Sequence, residues 1–331
     1  MHTTVPSANA ILCIERLRVE YRTPDGPLVA VQELTLQVRA GECVGIVGES
    51  GAGKSQSFLA IMGLLGRNAT VSGGATLQGR NLLSAKASEA RALRGARIAM
   101  IFQDPMTSLT PHLRVGDQIA ESLVCHRGFA WADARARAVQ LLRRVQVTDP
   151  QRRVTQYPHE LSGGMRQRVM IAIALACDPV MLIADEPTTA LDVTIQAQIL
   201  QLLAELKRDQ GMAMTLITHD LGVIAGIADR VIVMYAGRVV EAGDVQRLLT
   251  RPQHPYTDAL LRSMPRVDAP ADTPLVSIAG QPPNPRTLPS GCAFHPRCRR
   301  ASVQCRSQVP PLRELAGEVI ACHHPLVDDE H

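Results

Sequence analysis

The chain lacks several features that would tie it to the membrane interior, to secretion or to nucleic acid. None of its 331 residues lie in an apolar run of the roughly 18 residues that a membrane-spanning helix needs. Met1 to Ala10 has no charged start followed by an apolar core, so we expect no secretion signal. The net charge is only +4, from 35 basic and 31 acidic residues. Because this excess of positive charge is small, we expect no nucleic-acid partner. We find no internal repeat.

Length and hydrophobic content predict a folded chain with a substantial core. At roughly 100–200 residues per domain, 331 residues suggest one large domain with an appendage, or two domains. Apolar residues make up 46% of the chain, which is enough for a core. Without a secretion signal we expect the cytosol, where thiols stay reduced. Four cysteines in apolar segments are therefore expected in the core, namely Cys13, Cys43, Cys125 and Cys177.

A glycine-rich stretch, Gly48–Ser55, reads G-x-x-x-x-G-K-S. It follows an apolar run typical of a buried strand, Cys43–Val47, and precedes helix formers, which is the context of a phosphate-binding loop. Glycines let successive N–H groups point at phosphate oxygens, and the helix N-terminus adds partial positive charge. We expect Lys54 to reach the β- and γ-phosphates and Ser55 to ligate Mg²⁺. The predicted nucleotide-binding residues here are Gly48, Ser50, Gly51, Gly53, Lys54 and Ser55.

Buried strands alternate with helical segments up to about residue 250. This alternation predicts an α/β fold with a mainly parallel sheet covered on both faces. Apolar runs predict strands at Ile11–Val19, Val29–Val38, Ile98–Phe102, Val180–Ala184 and Ala213–Thr218, and a hairpin of Arg230–Tyr235 with Arg238–Glu241. Apolar spacing of three and four residues predicts a helical block over Val115–Val147 and helices at Met165–Ala176, after an N-cap at Ser162, and Val193–Asp209.

Polar side chains follow three of these predicted strands. Asp185 ends a buried run, where a carboxylate can hold the Mg²⁺ shell, and Glu186 next to it can polarise the attacking water. His219 is placed to hydrogen-bond the γ-phosphate, and Gln103 to touch the metal or the water. Each of these patterns is weak evidence alone. Together with the phosphate-binding loop they indicate a nucleotide site.

A second anion site is predicted at Leu161-Ser162-Gly163-Gly164. A serine, two bare backbone N–H groups and a helix start supply it by the same physics as the first loop. One chain with one phosphate-binding loop offers no obvious internal phosphate to this site. The natural solution is a head-to-tail pair, in which this serine closes over ATP held by the partner's loop.

Taken together, these motifs resemble those of the ATP-binding subunit of an ABC transporter. They run from Tyr21 to His219 in the family's order, and the resemblance is strongest to the ATPases of bacterial dipeptide and oligopeptide importers. That closer resemblance depends on longer strings, Phe102–Leu109, Ala184–Gln198 and His254–Thr257. Met165 stands where many signatures carry Gln, although peptide importers often have Met there.

The resemblance implies a role for each motif. Tyr21 is the adenine-stacking residue, although a strand-end tyrosine fits the pattern equally well, and Asp192 is the D-loop aspartate. Gln103 is the Q-loop residue, Ser162 to Gly164 belong to the signature, and Asp185 ends the Walker B strand. Glu186 is the catalytic glutamate and His219 the switch histidine. The implied fold is an ABC-type P-loop ATPase with a RecA-like core, an antiparallel β subdomain and a helical subdomain at about 104–176.

The same resemblance implies an ATPase, with ATP and Mg²⁺, that powers peptide uptake from the cytoplasmic face of the inner membrane. Its expected partners are two membrane permease subunits, a second related ATPase subunit and, indirectly, a peptide-binding protein. Nickel chelates or haem are alternative cargoes. A soluble ABC ATPase acting on nucleic acid or ribosomes usually joins two ATPase units, and here there is one. A small kinase or GTPase would not need the signature, and Glu186 and His219 argue against a regulator without turnover.

After about residue 250 the composition changes. Thirteen of the 22 prolines lie in 251–331, and we expect an appendage rather than a continuation of the sheet, with one helix, Tyr256–Ser263, and then loops. The predicted domains are thus an ABC ATPase domain, 1–250, and a proline- and cysteine-rich C-terminal extension, 251–331.

Four cysteines crowd into this extension with the spacing C-x5-C-x6-C-x16-C. They are Cys292, Cys298, Cys305 and Cys322. The spacing matches neither a standard zinc finger nor the ferredoxin run. A segment poor in large apolar residues needs another source of stability. Four thiolates that bind an iron–sulfur cluster or Zn²⁺ would stabilise it. His295, His323 and His324 are spare zinc ligands. Some peptide-importer ATPases carry a [4Fe–4S] cluster in such an extension, and unmetallated cysteines are the remaining alternative.

Overall fold

The architecture comes from a computed structural model that describes residues 9–84, 87–189, 191–264, 277–315 and 317–326. Most of the stretch used to judge a secretion signal, residues 1–8, lies outside this range. The chain divides into two compact units. The first comprises Met1–Leu12, Gln37–Glu42 and Leu77–Thr215, and the second comprises Cys13–Leu36, Cys43–Thr76 and Leu216–His331.

The strands alternate with the helices over much of the chain. In chain order the strands are β1 (Ala10–Thr23), β2 (Gly26–Arg39), β3 (Cys43–Val47), β4 (Ala69–Leu77), β5 (Arg80–Asn81), β6 (Ile98–Ile101), β7 (Met181–Asp185), β8 (Ala213–Thr218), β9 (Arg230–Tyr235), β10 (Arg238–Asp244), β11 (Arg313–Leu315) and β12 (Glu318–Ile320).

The helices include long ones and several single turns. In chain order they are α1 (Lys54–Ile61), α2 (Ala87–Leu93), α3 (Pro105–Ser108), α4 (Val115–Arg127), α5 (Trp131–Arg144), α6 (Pro150–Arg153), α7 (Gly163–Leu175), α8 (Val193–Gln210), α9 (Leu221–Ile227), α10 (Val245–Thr250), α11 (Pro255–Arg262) and α12 (Val303–Ser307), with 3₁₀ turns at Pro158–Glu160 and His295–Arg297. None of these helices is both long and apolar enough to cross a membrane, as judged over the described residues.

The first unit pairs two buried strands beside a group of helices. Strands β6 and β7 run parallel, with Ile98 opposite Met181 and Ile101 opposite Ala184. Each has a run of four apolar residues, and both strands are buried throughout, as expected for a strand covered on both faces. The predicted helical block is confirmed by α4 and α5, which pack on each other and on α7. Parallel pairing brings the C-terminal ends of β6 and β7, and the polar residues that follow them, to one edge.

The second unit contains most of two sheets. The two predicted strands are confirmed as β1 and β2, which are joined by the turn at Pro24 and Asp25 and pair with each other, and β4 lies on the other side of β1. In the other sheet β3 runs parallel to β9, and β9 turns back antiparallel into β10. The turn between β9 and β10 is Ala236-Gly237, where the sequence predicted it.

The C-terminal extension corrects one expectation, because it does continue the sheet. Strand β12 pairs antiparallel with β10, placing Ile320 opposite Glu241, and β11 pairs with β12. The predicted helix is confirmed as α11, but α12 and these strands follow where loops were expected. A three-residue strand that begins with Glu318 carries too little apolar pattern to be recognised.

Three of the four cysteines expected in the core are buried, and the fourth is not. Cys13, Cys43 and Cys177 are buried, whereas Cys125 is exposed. Cys125 lies near the end of α4, whose buried face is formed by other positions, among them Ile119 and Leu123. The helical period turns position 125 away from that face, so an apolar neighbourhood in sequence did not mean burial.

Candidate functional site

The loop Gly48–Ser55 takes a conformation that needs glycine at two positions. Gly48 has φ of 157°, and a Cβ there would collide with the carbonyl oxygen of Met234. Gly53 has φ of 91°, and a Cβ there would collide with the carbonyl oxygen of Ala30. Other residues disfavour positive φ, and neither site has room for a side chain. The backbone therefore folds tightly between β3 and α1, as a phosphate-binding loop requires.

Lys54 lies inside this loop, with its side chain buried. Its Nζ donates to the carbonyl oxygens of Gly48 at 2.6 Å and Glu49 at 3.0 Å. Ser55 follows in the first turn of α1 and is half-buried. Gly53 is the N-cap of α1 and supplies no side-chain acceptor, so the first N–H groups of the helix face the loop. A lysine and a helix N-terminus lie at the same loop, and both attract phosphate oxygens.

Tyr21 contacts the helix that follows the loop. Its hydroxyl donates to Oε1 of Gln56 on α1. Burial raises the pKa of Tyr21, whose ring is only half-buried. This contact puts the end of β1 beside the phosphate-binding helix, and stacking of the ring on adenine stays a prediction.

Gln103 and Glu186 meet at the edge formed by the ends of β6 and β7. Gln103 Nε2 donates to Glu186 Oε2 at 3.0 Å, and Thr189 Oγ1 donates to the same oxygen at 2.9 Å. Glu186 has φ of 44°, a left-handed conformation that costs of order 1–3 kcal/mol for a residue with a side chain. Asp185, at the end of β7, is buried. The carboxylate of Glu186 is thus held in one orientation by two donors.

The predicted second anion site is the N-terminus of α7. The Ser162 side chain accepts a hydrogen bond from the Met165 N–H at 3.4 Å, which confirms it as the N-cap. A Cβ at Gly164 would lie 2.9 Å from Cγ2 of Ile195, so the helix tip passes close to α8. Asp192 caps α8 by accepting from the Ile195 N–H at 2.9 Å. Ser162 and Gly163 are exposed, and so this tip is open to a ligand from outside the unit.

His219 follows the buried strand β8 and is itself exposed. The next residue, Asp220, caps α9 by accepting from the Gly222 N–H at 2.7 Å. The N–H of Asp220 donates to the Thr218 hydroxyl at 3.0 Å. These bonds fix the backbone on both sides of His219.

The four cysteines of the extension line a single small pocket. Cys292, Cys298, Cys305 and Cys322 surround it together with Phe294 and the buried ring of His254. Burial raises the pKa of Cys292 and of Cys298, and it raises the pKa of Cys322 to about 11. The Cys322 thiol also interacts electrostatically with each of the other three. The fold therefore gathers four thiols that are separated by 5, 6 and 16 residues in sequence.

The three histidines considered as zinc ligands have other partners. His295 Nδ1 lies 3.0 Å from the Cys292 carbonyl oxygen, His323 Nε2 lies 3.0 Å from that of Gln308, and His324 Nε2 lies 2.8 Å from the Ser302 hydroxyl. Over the part of the chain that the structure describes, no group of three or more His, Cys, Asp or Glu side chains is arranged tightly enough to hold a metal ion. The pocket thus has the donors of a metal site but not the spacing of ligands on a single ion.

Sequence reasoning missed two residues that contact the phosphate-binding loop. Arg297 and Tyr256 both bond to Glu49, from positions more than two hundred residues along the chain. Tyr256 belongs to the string His254–Thr257, which was noted only as a resemblance. No local pattern marks Arg297, and only the fold reveals its partner.

Two family descriptions match this chain. Residues 31–189 match "ABC transporter". Residues 240–305 match "Oligopeptide/dipeptide transporter, C-terminal region".

Relatives of similar length share about half of the sequence. The oligopeptide transport ATP-binding protein OppD of Escherichia coli is 51% identical over 98% of this chain and 97% of its own. The dipeptide transport ATP-binding protein DppD of the same organism is 50% identical over 96% of this chain and 98% of its own. Among solved structures, the ATP-binding cassette MJ0796, as a post-hydrolysis dimer bound to ADP and Pi, matches with a TM-score of 0.64 and 29% identity, over 71% of this chain and 98% of that one.

Proposed function

The chain belongs to the ABC transporter family of ATP-binding subunits, and from this premise we propose that it hydrolyses ATP to drive the import of dipeptides and oligopeptides. The observation that carries the cargo assignment is the match of residues 240–305 to the C-terminal region of oligopeptide and dipeptide transporters. The buried Lys54 and the constrained Gly48 and Gly53 support the nucleotide part of the proposal.

In this proposal the motifs divide the work of one ATP cycle. The loop Gly48–Ser55 binds the phosphates, Tyr21 stacks on the adenine, and Glu186 orients the attacking water. Gln103 is assigned to the metal or the water, and His219 to the γ-phosphate. Ser55, Asp185 and Gln103 offer the oxygen ligands that Mg²⁺ prefers and would hold that ion. Mg²⁺ supplies charge neutralisation for the triphosphate when bound. Ser162, Gly163, Gly164 and Asp192 serve the partner's nucleotide.

The proposed assembly has two ATPase subunits arranged head to tail, of which the second is a related chain. They act on two membrane permease subunits at the cytoplasmic face of the inner membrane, and a peptide-binding protein delivers the cargo. The exposed tip of α7 supports this arrangement, since its serine and bare N–H groups can receive a phosphate from another molecule.

We expect peptide uptake to depend on this chain's ATPase activity. In cells that lack the gene, uptake of labelled di- and tripeptides should fall to background and return with the parent chain. A variant carrying Glu186→Gln should not restore it. Uptake of nickel chelate or haem instead of peptide would reassign the cargo within the family. Normal uptake of all three without the gene would contradict an import role.

We further propose that the cysteine pocket holds a [4Fe–4S] cluster on Cys292, Cys298, Cys305 and Cys322, with Zn²⁺ as the alternative. Four thiols that line one pocket supply the cysteine ligands such a cluster needs. A cluster of four irons is larger than one ion, so its ligands need not converge as closely. His295, His323 and His324 also line the pocket, and the hydrogen bond of each uses one ring nitrogen, so the second nitrogen keeps them as candidate ligands in the zinc alternative.

Anaerobic purification should yield brown protein with about four irons and four sulfides per chain. Cys305→Ser removes a buried thiol of the pocket and should lower the iron content several-fold, because one ligand is lost. The matched control is Cys125→Ser, which removes an exposed thiol outside the pocket and should leave iron unchanged. Colourless protein with stoichiometric zinc would overturn the cluster, and metal-free protein would overturn both.

A further inference from the structure

The phosphate-binding loop is tied to the cysteine-bearing extension by an ion pair. Arg297 Nη1 donates to Glu49 Oε2 at 2.7 Å, and Nη2 donates to Oε1 at 3.0 Å. The Arg297 side chain is only 5% exposed and that of Glu49 is 24% exposed. A two-pronged arginine–carboxylate pair in this setting is among the stronger and more directional of charged contacts. Glu49 is the second residue of the loop Gly48–Ser55.

Arg297 is held in place by further hydrogen bonds and by two aromatic rings. Its remaining N–H groups donate to the carbonyl oxygens of Ala279 and Ile278 and to the hydroxyl of Tyr235. Its guanidinium carbon lies 6.0 Å from the ring centres of both Tyr235 and Phe294. The hydrogen bonds thus use all five donors of the guanidinium. These contacts fix the guanidinium of Arg297 in one position, and that position orients the carboxylate of Glu49.

The backbone of Glu49 is fixed from the same side of the molecule. Its N–H donates to the Tyr256 hydroxyl at 2.9 Å. Tyr256 is fully buried and packs its ring 4.6 Å from that of Tyr235 and 5.3 Å from that of Phe294. The segment that follows the predicted ATPase domain therefore holds Glu49 at both its main chain and its carboxylate.

Arg297 also shares a turn with the cysteine pocket. It ends the 3₁₀ turn His295–Arg297, directly before Cys298. The N–H of His295 donates to the Cys292 carbonyl oxygen at 2.9 Å, and the N–H of Cys298 donates to the His295 carbonyl oxygen at 3.3 Å. A change in the position of either cysteine therefore moves the backbone that carries the guanidinium.

We propose that Arg297 is a positioning residue for ATP binding, which neutralises Glu49, fixes the phosphate-binding loop and couples that loop to the cysteine pocket. The inference rests on the proposed ATPase function. Without Arg297, a partly buried carboxylate in the phosphate-binding loop would be left unneutralised, and the loop would lose its anchor. Both effects weaken ATP binding, whereas the chemistry at Glu186 is left intact.

Binding of a fluorescent ATP analogue to the purified full-length chain tests the inference. Arg297→Gln should raise the Kd about 5- to 20-fold, within the usual range of coupling between sites. It should raise KM for ATP by a similar factor and leave kcat within about twofold, since only ground-state positioning is lost. Adding Glu49→Gln to this variant should return the Kd to within about threefold of the parent, because the unneutralised charge is gone.

The matched control is Arg286→Gln. Arg286 lies in the same extension and pairs with Asp25, but both side chains are well exposed and neither belongs to the phosphate-binding loop. Its Kd should equal that of the parent, because exposed ion pairs contribute little. If Arg297→Gln does not fold, as judged by its thermal melt, Arg297→Lys keeps the charge but loses the two-pronged bond and should raise the Kd by a smaller factor.

Cys298→Ser tests the coupling to the pocket. It should raise the Kd in the parent and add nothing in the Arg297→Gln background, because both changes act through the same link. An unchanged Kd in Cys298→Ser overturns the coupling. A Kd unchanged by Arg297→Gln overturns the positioning role, and no recovery in the double variant overturns the neutralisation of Glu49. In both cases ATP binding by the parent upholds the ATPase. A parent that does not bind the analogue contradicts the proposed function itself.

Discussion

Glu186→Gln should stop ATP hydrolysis and leave ATP binding intact. The amide keeps the shape of the carboxylate but cannot accept a proton, and general-base catalysis contributes about 10²- to 10⁴-fold to such reactions. We therefore expect phosphate release at saturating ATP to fall at least about a hundredfold. The Kd for the fluorescent ATP analogue should stay within about threefold of the parent, because Glu186 is assigned to the water and not to the phosphates.

The geometry around Glu186 makes this variant a sharp test. Gln103 and Thr189 both donate to Oε2, so the carboxylate is oriented before any substrate arrives. A matched control is Glu205→Gln on α8, whose carboxylate is half-buried, accepts from Gln201 and Gln146 and has no part in the proposed site. It should hydrolyse ATP at the parental rate. Undiminished turnover in Glu186→Gln would remove the role assigned to that residue.

Ser162→Asp should abolish turnover by preventing the signature helix from closing on ATP. Aspartate caps a helix as well as serine does, so α7 should keep its N-terminus. Its negative charge would repel the γ-phosphate that the tip of α7 is proposed to receive. We expect the hydrolysis rate to fall about a hundredfold or more, comparable to removing a donor from a charged transition state. Binding of the analogue to isolated chains should be unchanged, since each chain's own loop is intact.

Ser162→Asn is the control that separates charge from capping. Asparagine has nearly the shape of aspartate and is an equally good N-cap, but it is neutral. It should therefore retain ATP-dependent pairing with the second ATPase subunit in size-exclusion chromatography, which Ser162→Asp should lose. Equal loss in both variants would mean that the serine itself is required. If both variants were as active as the parent, no phosphate would approach this helix.

Local motifs were predictable because their chemistry lies within a few consecutive residues. The phosphate-binding loop, the Ser162 cap and the turn at Ala236-Gly237 all follow from spacing and residue type, and the structure has each where the sequence indicated. The same holds for the buried strands β6 and β7, whose apolar runs leave no alternative face for solvent. Gln103 and Glu186 were each expected after one of these strands, and the structure adds that the two side chains meet.

Long-range partners were not predictable from the sequence. Arg297 has no helical or strand pattern to mark it, and its bond to Glu49 depends on how the whole second unit folds. Strand β12 was missed because its three residues, which include Glu318, show no clear hydrophobic periodicity. The strand forms by pairing with β10, and that pairing is not visible in the local sequence. The exposed Cys125 was misjudged because apolar neighbours in sequence do not fix which face of a helix is buried.

The most direct test of the account is the distance from the Ser162 hydroxyl to the γ-phosphate in the ATP-loaded assembly. Glu186→Gln should trap that assembly with ATP intact, ready for structure determination. We expect a hydrogen bond of about 3 Å between Ser162 and a nucleotide held by the other ATPase subunit. A Ser162 that lies far from every bound nucleotide, with ATP enclosed by one subunit alone, would contradict it.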